Sequence, residues 1–233
     1  MGVIESVRIN KFLTQANVCS RREADRLISA GRVRIGDRVA KLGDKISQDD
    51  TVFVGGKAVR ASVKKIYLAF HKPVGVICTT DAKSKNNIVE YIKYKERVYP
   101  IGRLDVATSG LILLTNDGAI VNSILKGAAH VEKEYEVEVH KPVNETFLKT
   151  LERGVMLDGH RTLPARTKQL GPRRFSIVVV QGKRRQIRRM CEKLGYEVMR
   201  LTRLRIGTIT LEGLKVGAWR EVTEGEIKKL LHA

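Results

Sequence analysis

The sequence predicts an α+β fold in two parts. These are a small αβ module over residues 1–60 and a larger domain over 66–233, with a mixed, mainly antiparallel sheet and flanking helices. Three observations carry this. Helical and strand periodicities interleave irregularly, not as a strict βαβ repeat. The stretch Ala61-Ser-Val-Lys-Lys65 separates two patterned regions and reads as a linker, residues 61–65. The run Leu111 to Leu114 is wholly apolar, as a buried strand would be. A hydrophobic content of 42% over 233 residues is enough for a packed core.

In the amino-terminal part, Ile9, Phe12, Leu13 and Ala16 recur at helical spacing. Ser20 and Glu23, in Ser-Arg-Arg-Glu, have the form of a capping box that opens a second helix. Ala24, Leu27 and Ile28 give that helix its apolar face, and Gly31 ends it. Alternating segments follow at 33–35, Val39 and 51–54, with a turn at Gly36-Asp37. Arg8, Lys11, Arg21, Arg22, Arg26, Arg32 and Arg34 crowd these elements. Any one of them is simply a solvated side chain; together they read as a phosphate-binding surface. Cys19-Ser-Arg-Arg-Glu-Ala-Asp25, followed by Ile28-Ser-Ala-Gly-Arg-Val33, resembles the S4 RNA-binding domain.

The larger part starts with a strand at 67–70 that breaks at His71-Lys-Pro-Val-Gly75 and resumes at 76–78. Helical patterns lie at 87–94, 120–125, 144–153 and 183–194, and strand patterns at 111–115, 133–139, 176–180 and 208–211. The net charge is +19, from 44 Lys+Arg against 25 Asp+Glu, which points to a polyanionic partner. A membrane is the rival partner, but no stretch approaches the ~18 apolar residues of a spanning helix. The first residues lack a signal-peptide core, and Gly2 with Ser6 is a poor myristoylation match beside Glu5 and Arg8. Cys19, Cys78 and Cys191 are too far apart for a disulfide framework or a zinc knuckle and suit a reducing cytoplasm. His130, His140, His160 and His232 show no metal-ligand spacing. Asp117 and Asp158 each precede a glycine and read as turn formers.

The stretch Gly102-Arg-Leu-Asp-Val-Ala-Thr-Ser-Gly-Leu-Ile-Leu-Leu-Thr-Asn-Asp-Gly118 sets Asp105 at the lip of the buried run. An acid there either caps a turn or is held rigidly as a nucleophile. These seventeen residues resemble the active-site motif of the RsuA/RluB/RluE/RluF family of pseudouridine synthases. The resemblance implies that Asp105 is the catalytic nucleophile, with Arg103 and Thr108 in the substrate pocket. It leaves open whether Asp105 attacks C1′ or takes part in a glycal route. A second motif, Val180-Gln-Gly-Lys-Arg-Arg-Gln-Ile-Arg-Arg-Met190, resembles the family's third motif. It implies that Arg188 pairs with the nucleophile and that Ile187 walls the uracil pocket. Lys183, Arg184, Arg185 and Arg189 are left to touch RNA phosphates, on a helix entered directly from Gly182. Eleven Lys/Arg between 173 and 205 mark this half of the domain as the RNA-facing wall.

Tyr135 would point inward with Val137 and Val139 by the period of two. A core tyrosine is the ordinary reading; the family's Lys-x-Tyr segment implies a catalytic tyrosine that stacks on uracil and helps move the C5 proton. His71-Lys-Pro-Val-Gly75 resembles the first motif, with His71 in place of the usual Asn. Asn87-Ile-Val-Glu-Tyr91, Glu132-Lys-Glu-Tyr135 and Gly217-Ala-Trp-Arg220 lie closest to the RluF branch. That branch implies isomerisation of a uridine in 23S rRNA, or in a tRNA stem-loop. No cofactor, metal or membrane is expected, and the protein should be a cytoplasmic monomer. The rival readings are the same reaction on 16S rRNA or another uridine, and a non-catalytic RNA-binding or ribosome-assembly factor.

Replacing Arg21, Arg22 and Arg26 with Gln should weaken RNA binding. It should also flatten the plot of log affinity against log salt by about 0.7–0.9 per lost phosphate contact. Filter binding across salt concentrations measures the slope, and an unchanged slope would place those side chains away from RNA.

Overall fold

A computed structural model describes residues 6–47, 49–60, 64–81, 83–126 and 131–232. The chain divides into two compact units, Met1–Lys65 and Ile66–Ala233. The first three residues of the expected linker lie outside the described ones.

The first unit runs β1 (Val7–Arg8), α1 (Ile9–Gln15), α2 (Arg21–Ser29), β2 (Val33–Ile35), β3 (Arg38–Val39), β4 (Lys45–Ile46), β5 (Val52–Val54) and β6 (Lys57–Val59). Strands β3-β2-β5-β6 form one antiparallel sheet, and β1 pairs with β4. Ile9, Leu13, Ala24, Ile28, Val33 and Val52 form its core, so one stripe of each helix is buried. Ser20 accepts the Glu23 N–H as the expected cap. The Glu23 carboxylate turns instead to Arg26, so the reciprocal half of the capping box gives way to a surface ion pair. Arg8, Lys11, Arg21, Arg22, Arg26 and Arg32 are all exposed.

The second unit runs β7 (Tyr67–Lys72), α3 (Ile88–Ile92), β8 (Tyr99–Ile101), β9 (Ser109–Thr115), α4 (Gly118–Lys126), β10 (Lys133–Val139) and α5 (Glu145–Arg153). It continues with β11 (Met156–Leu157), β12 (His160–Arg161), β13 (Arg166–Gly171), β14 (Arg174–Val179), α6 (Gln186–Lys193) and β15 (Val198–Ile206). β16 (Ile209–Thr210), β17 (Trp219–Glu221) and α7 (Glu224–Leu231) complete it. Among the described residues the main sheet has nine strands in the order β13-β14-β10-β15-β9-β7-β17, with β16 on β15 and β8 on β9. The β15–β9 pair is parallel and its other pairs are antiparallel, so the fold is α+β with a mixed sheet. Alternate residues of β9 enter two cores: Ile112 and Leu114 join Phe70, Val137 and Phe175, while Leu111 and Leu113 join Ala69, Ile206 and Leu230.

Several elements depart from expectation; besides those below, no expected pattern covered β8, β11, β12, β13, β17 and α7. β7 does not break at His71 but runs through Lys72, because β9 pairs with it as far as Lys72 opposite Gly110. Residues 76–78 form no strand; one bridge joins Ile77 to Asn87. The nine-residue β15 was not expected, since Arg200, Arg203 and Arg205 mask its buried positions Leu201 and Ile206. α6 begins at Gln186 and not at 183, because Arg185 takes the left-handed conformation (φ 49°). Arg184 and Arg185 therefore lie on a loop.

Gly110 sits at the parallel junction with φ +109°, and a Cβ there would fall 2.3 Å from the Arg203 carbonyl oxygen. Gly110→Ala should cost more than about 2 kcal/mol of stability, through both clash and strain. Asn144→Ala, which removes the cap accepting the Phe147 N–H of α5, should cost about 1 kcal/mol. Chemical denaturation checks this ranking, and equal losses would contradict it.

Candidate active site

Asp105 lies on the loop that returns the chain from β8 to β9. These strands pair antiparallel, Ile101 opposite Leu113, so residues 102–108 must turn within a short span. The turn closes through Thr108 N–H donating to the Asp105 carbonyl at 3.0 Å. Other parts of the domain then pin it from outside. Gly75 N–H donates to Val106 O at 2.9 Å, and Leu104 N–H donates to Cys78 Sγ at 3.4 Å. Arg188 Nη2 donates to Ala107 O at 2.8 Å. Beneath the loop, Lys72 is fully buried and its ammonium donates to Pro73 O, Val76 O and, at 3.5 Å, Val106 O. Burial pushes the Lys72 pKa below the usual lysine value, while nearby Cys78 and Asp105 favour its charge.

Asp105 faces a cleft of about 970 Å³. Tyr135, Ile187, Thr108 and Arg203 line its interior, and all four are buried. Tyr135 points inward with Val137 and Val139, as the alternation of β10 requires. Opposite it in register on β15 is Arg203, whose Nη1 donates to the Tyr135 hydroxyl at 3.4 Å and whose Nε donates to Leu111 O at 2.6 Å. The exposed side chains of Arg103, Lys183, Arg184 and Arg185 also line the cleft.

The structure does not give Arg188 its expected ion pair with Asp105. Among the described residues its guanidinium instead joins two carbonyls, Ala107 O and Val198 O, tying the Asp105 loop to the start of β15. Arg188 is a brace whose charge Asp105 still favours. Burial and the neighbouring Arg185 lower its pKa, and Asp105 acts the other way. Arg189 is bonded to Asp158, which is thereby more than a turn former. The expected basic wall from 173 to 205 is also depleted. Arg174 meets Glu136, Arg200 meets Glu138, and Arg205 meets Glu132 and Glu134. These acids alternate along β10 on the side opposite Tyr135, so the cations paired with them neutralise a sheet face.

Sequence reasoning placed Arg203 only among the cations of an RNA-facing wall and did not single out Lys72, which lies beneath the Asp105 loop. Lys72 was legible as part of His71-Lys-Pro, but its burial follows from β7 lying between β9 and β17. Arg203 had one signal, its spacing of two from Leu201 within an unrecognised strand.

Residues 66–193 match the family described as RNA pseudouridylate synthase, and residues 7–52 match the S4 domain. The chain belongs to the RNA pseudouridylate synthase family. The synthase is 43% identical over 95% of its length to the dual-specificity RNA pseudouridine synthase RluF of Escherichia coli (strain K12), covering 77% of that protein. It is 38% identical over 96% of its length to the ribosomal large subunit pseudouridine synthase B of Bacillus subtilis (strain 168), covering 95% of that protein. A crystal structure of a pseudouridylate synthase superposes with a TM-score of 0.70 at 31% identity, covering 97% of this chain and 100% of that one. The synthase acts on RNA and converts uridine to pseudouridine.

Arg188→Lys keeps a cation near Asp105 but cannot bond both carbonyls. Single-turnover isomerisation should slow about 10–100-fold through a loosened loop, with RNA affinity unchanged. A wild-type rate would show that charge alone suffices.

Proposed function

We propose that the synthase isomerises one uridine of 23S ribosomal RNA, with Asp105 as its nucleophile. The observation that carries this is the placement of Asp105 on an externally pinned loop facing a cleft that also holds Tyr135, Ile187 and Thr108. The target base must leave its stack at a cost of a few kcal/mol. Arg103, Lys183, Arg184 and Arg185 at the cleft grip the backbone around it and offset that cost. Arg8, Lys11, Arg21, Arg22, Arg26 and Arg32 of the first unit add affinity of the same kind, and Arg189, engaged with Asp158, contributes less.

Once the base is extruded, attack of the Asp105 carboxylate on C1′ breaks the C1′–N1 bond and leaves its electron pair on the uracil. The base turns, C5 joins C1′ as the carboxylate departs, and the C5 proton is lost as N1 gains one. A glycal route uses the same carboxylate. Tyr135 stacks on the ring and relays the C5 proton, Ile187 walls the ring in, and Arg188 positions Asp105. Bonds and protons balance within the substrate, so the isomerisation needs no redox partner or group donor.

A tRNA stem-loop is the second reading, favoured by the dual specificity in the name of the E. coli relative. The protein acts in the cytoplasm, a reading supported by its RNA substrate and three buried cysteines, and the proposed reaction uses the residues of a single chain. Among the described residues no helix is long and apolar enough to cross a membrane.

Incubation with unmodified 23S rRNA, followed by carbodiimide-blocked primer extension, should give one strong stop with wild type. Asp105→Asn should lower product at least about a thousandfold with RNA affinity nearly unchanged. Normal turnover by that variant, or product on 16S rRNA alone, would overturn the proposal.

A further inference from the structure

Three side chains lining the cleft, Thr108, Arg203 and the half-buried Gln181, carry buried polar atoms without partners among the described residues; Thr108 and Arg203 are themselves buried. Thr108, 2% exposed, has none for Oγ1, and Arg203, 4% exposed, has none for Nη2. Both line the cleft with Asp105 and Tyr135. Both belong to one strand junction. Arg203 lies opposite Gly110 at the parallel junction, and Thr108 ends the loop that enters β9 two residues before Gly110. Nor is the guanidinium free to swing, because its Nε and Nη1 are tied to Leu111 O and the Tyr135 hydroxyl. Unpaired buried polar groups cost stability, and native structures keep few of them. Two together in a reaction cleft point to a ligand that supplies the missing partners.

We propose that Arg203 and Thr108 read the hydrogen-bonding edge of the extruded uracil and hold the detached ring through its turn, an inference that rests on the function proposed above. Uracil presents O2, N3–H and O4 along one edge. Arg203 Nη2 donates to a carbonyl oxygen, and Thr108 Oγ1 accepts from N3–H. Isomerisation turns the ring by half a turn about the axis through N3 and C6, which exchanges N1 with C5 and O2 with O4. N3–H lies on that axis, so its bond to Thr108 persists throughout. The carbonyl contact breaks and re-forms with the other oxygen. The same pair of contacts therefore serves the base before and after the turn. Cytosine would bring its amino group against the guanidinium in one of the two orientations, so the pair also selects for uracil.

The test compares wild type, Thr108→Val and Thr108→Ser on unmodified 23S rRNA transcripts. Valine keeps the shape and removes the hydroxyl; serine keeps the hydroxyl. Thr108→Val should slow single-turnover isomerisation at saturating RNA about tenfold or more, with unchanged RNA affinity, while Thr108→Ser stays within about threefold of wild type. The thermal midpoint of Thr108→Val should equal or exceed that of wild type, since an unpaired buried hydroxyl is gone. A wild-type rate for Thr108→Val, equal losses in both variants, or a lowered midpoint for Thr108→Val would overturn the assignment. Absence of product from wild type would instead overturn the 23S rRNA reading, and that arm separates the two failures.

Discussion

The backbone of residues 104–107 is held almost entirely by groups from distant parts of the second unit. Lys72 and Gly75 reach Val106 O, Arg188 reaches Ala107 O, and Cys78 accepts the Leu104 N–H. A seven-residue loop left to itself would sample many conformations, at roughly 1–2 kcal/mol per residue to order. Here the ordering cost is met by bonds that also bury a lysine. With those bonds in place a single carboxylate stands at a fixed point of the cleft wall, as positional control of a reacting group requires.

That arrangement explains why the cations of this domain are not interchangeable. Lys72 and Arg188 are spent on carbonyl oxygens, and Arg203 is sunk between β9 and β10. Arg174, Arg200 and Arg205 face glutamates across the sheet. The more exposed of these pairs contribute little to stability, yet all of them remove positive charge from the sheet face opposite Tyr135. Arg103 and the loop 183–185 keep exposed cations at the cleft.

The amino-terminal unit shows the simpler relation between sequence and form. Its helices and short strands bury one stripe each, and its arginines stay in water because nothing apolar competes for their positions. Local periodicity was sufficient there for α1, α2, β2, β3 and β5, but not for β1, β4 and β6. In the second unit it sufficed for α3, α4, α5, β9 and β10, whose caps or apolar runs lie within the element itself.

By itself the sequence determined the α+β class, the two-part layout, the loop that bears Asp105 and the inward face of Tyr135. All of these depend on neighbours a few residues apart. Tertiary structure decided the rest. β15 becomes a central strand although it carries three arginines, because β9 and β10 flank it and Gly110 lets the Arg203 backbone approach. Arg188 becomes a brace because the Ala107 carbonyl, distant in sequence, arrives within reach, and Lys72 becomes a buried anchor where Val106 O joins the nearby Pro73 and Val76 carbonyls. The partners of Arg188 and Arg203 within the cleft region are set by long-range geometry, which no local pattern of residues encodes.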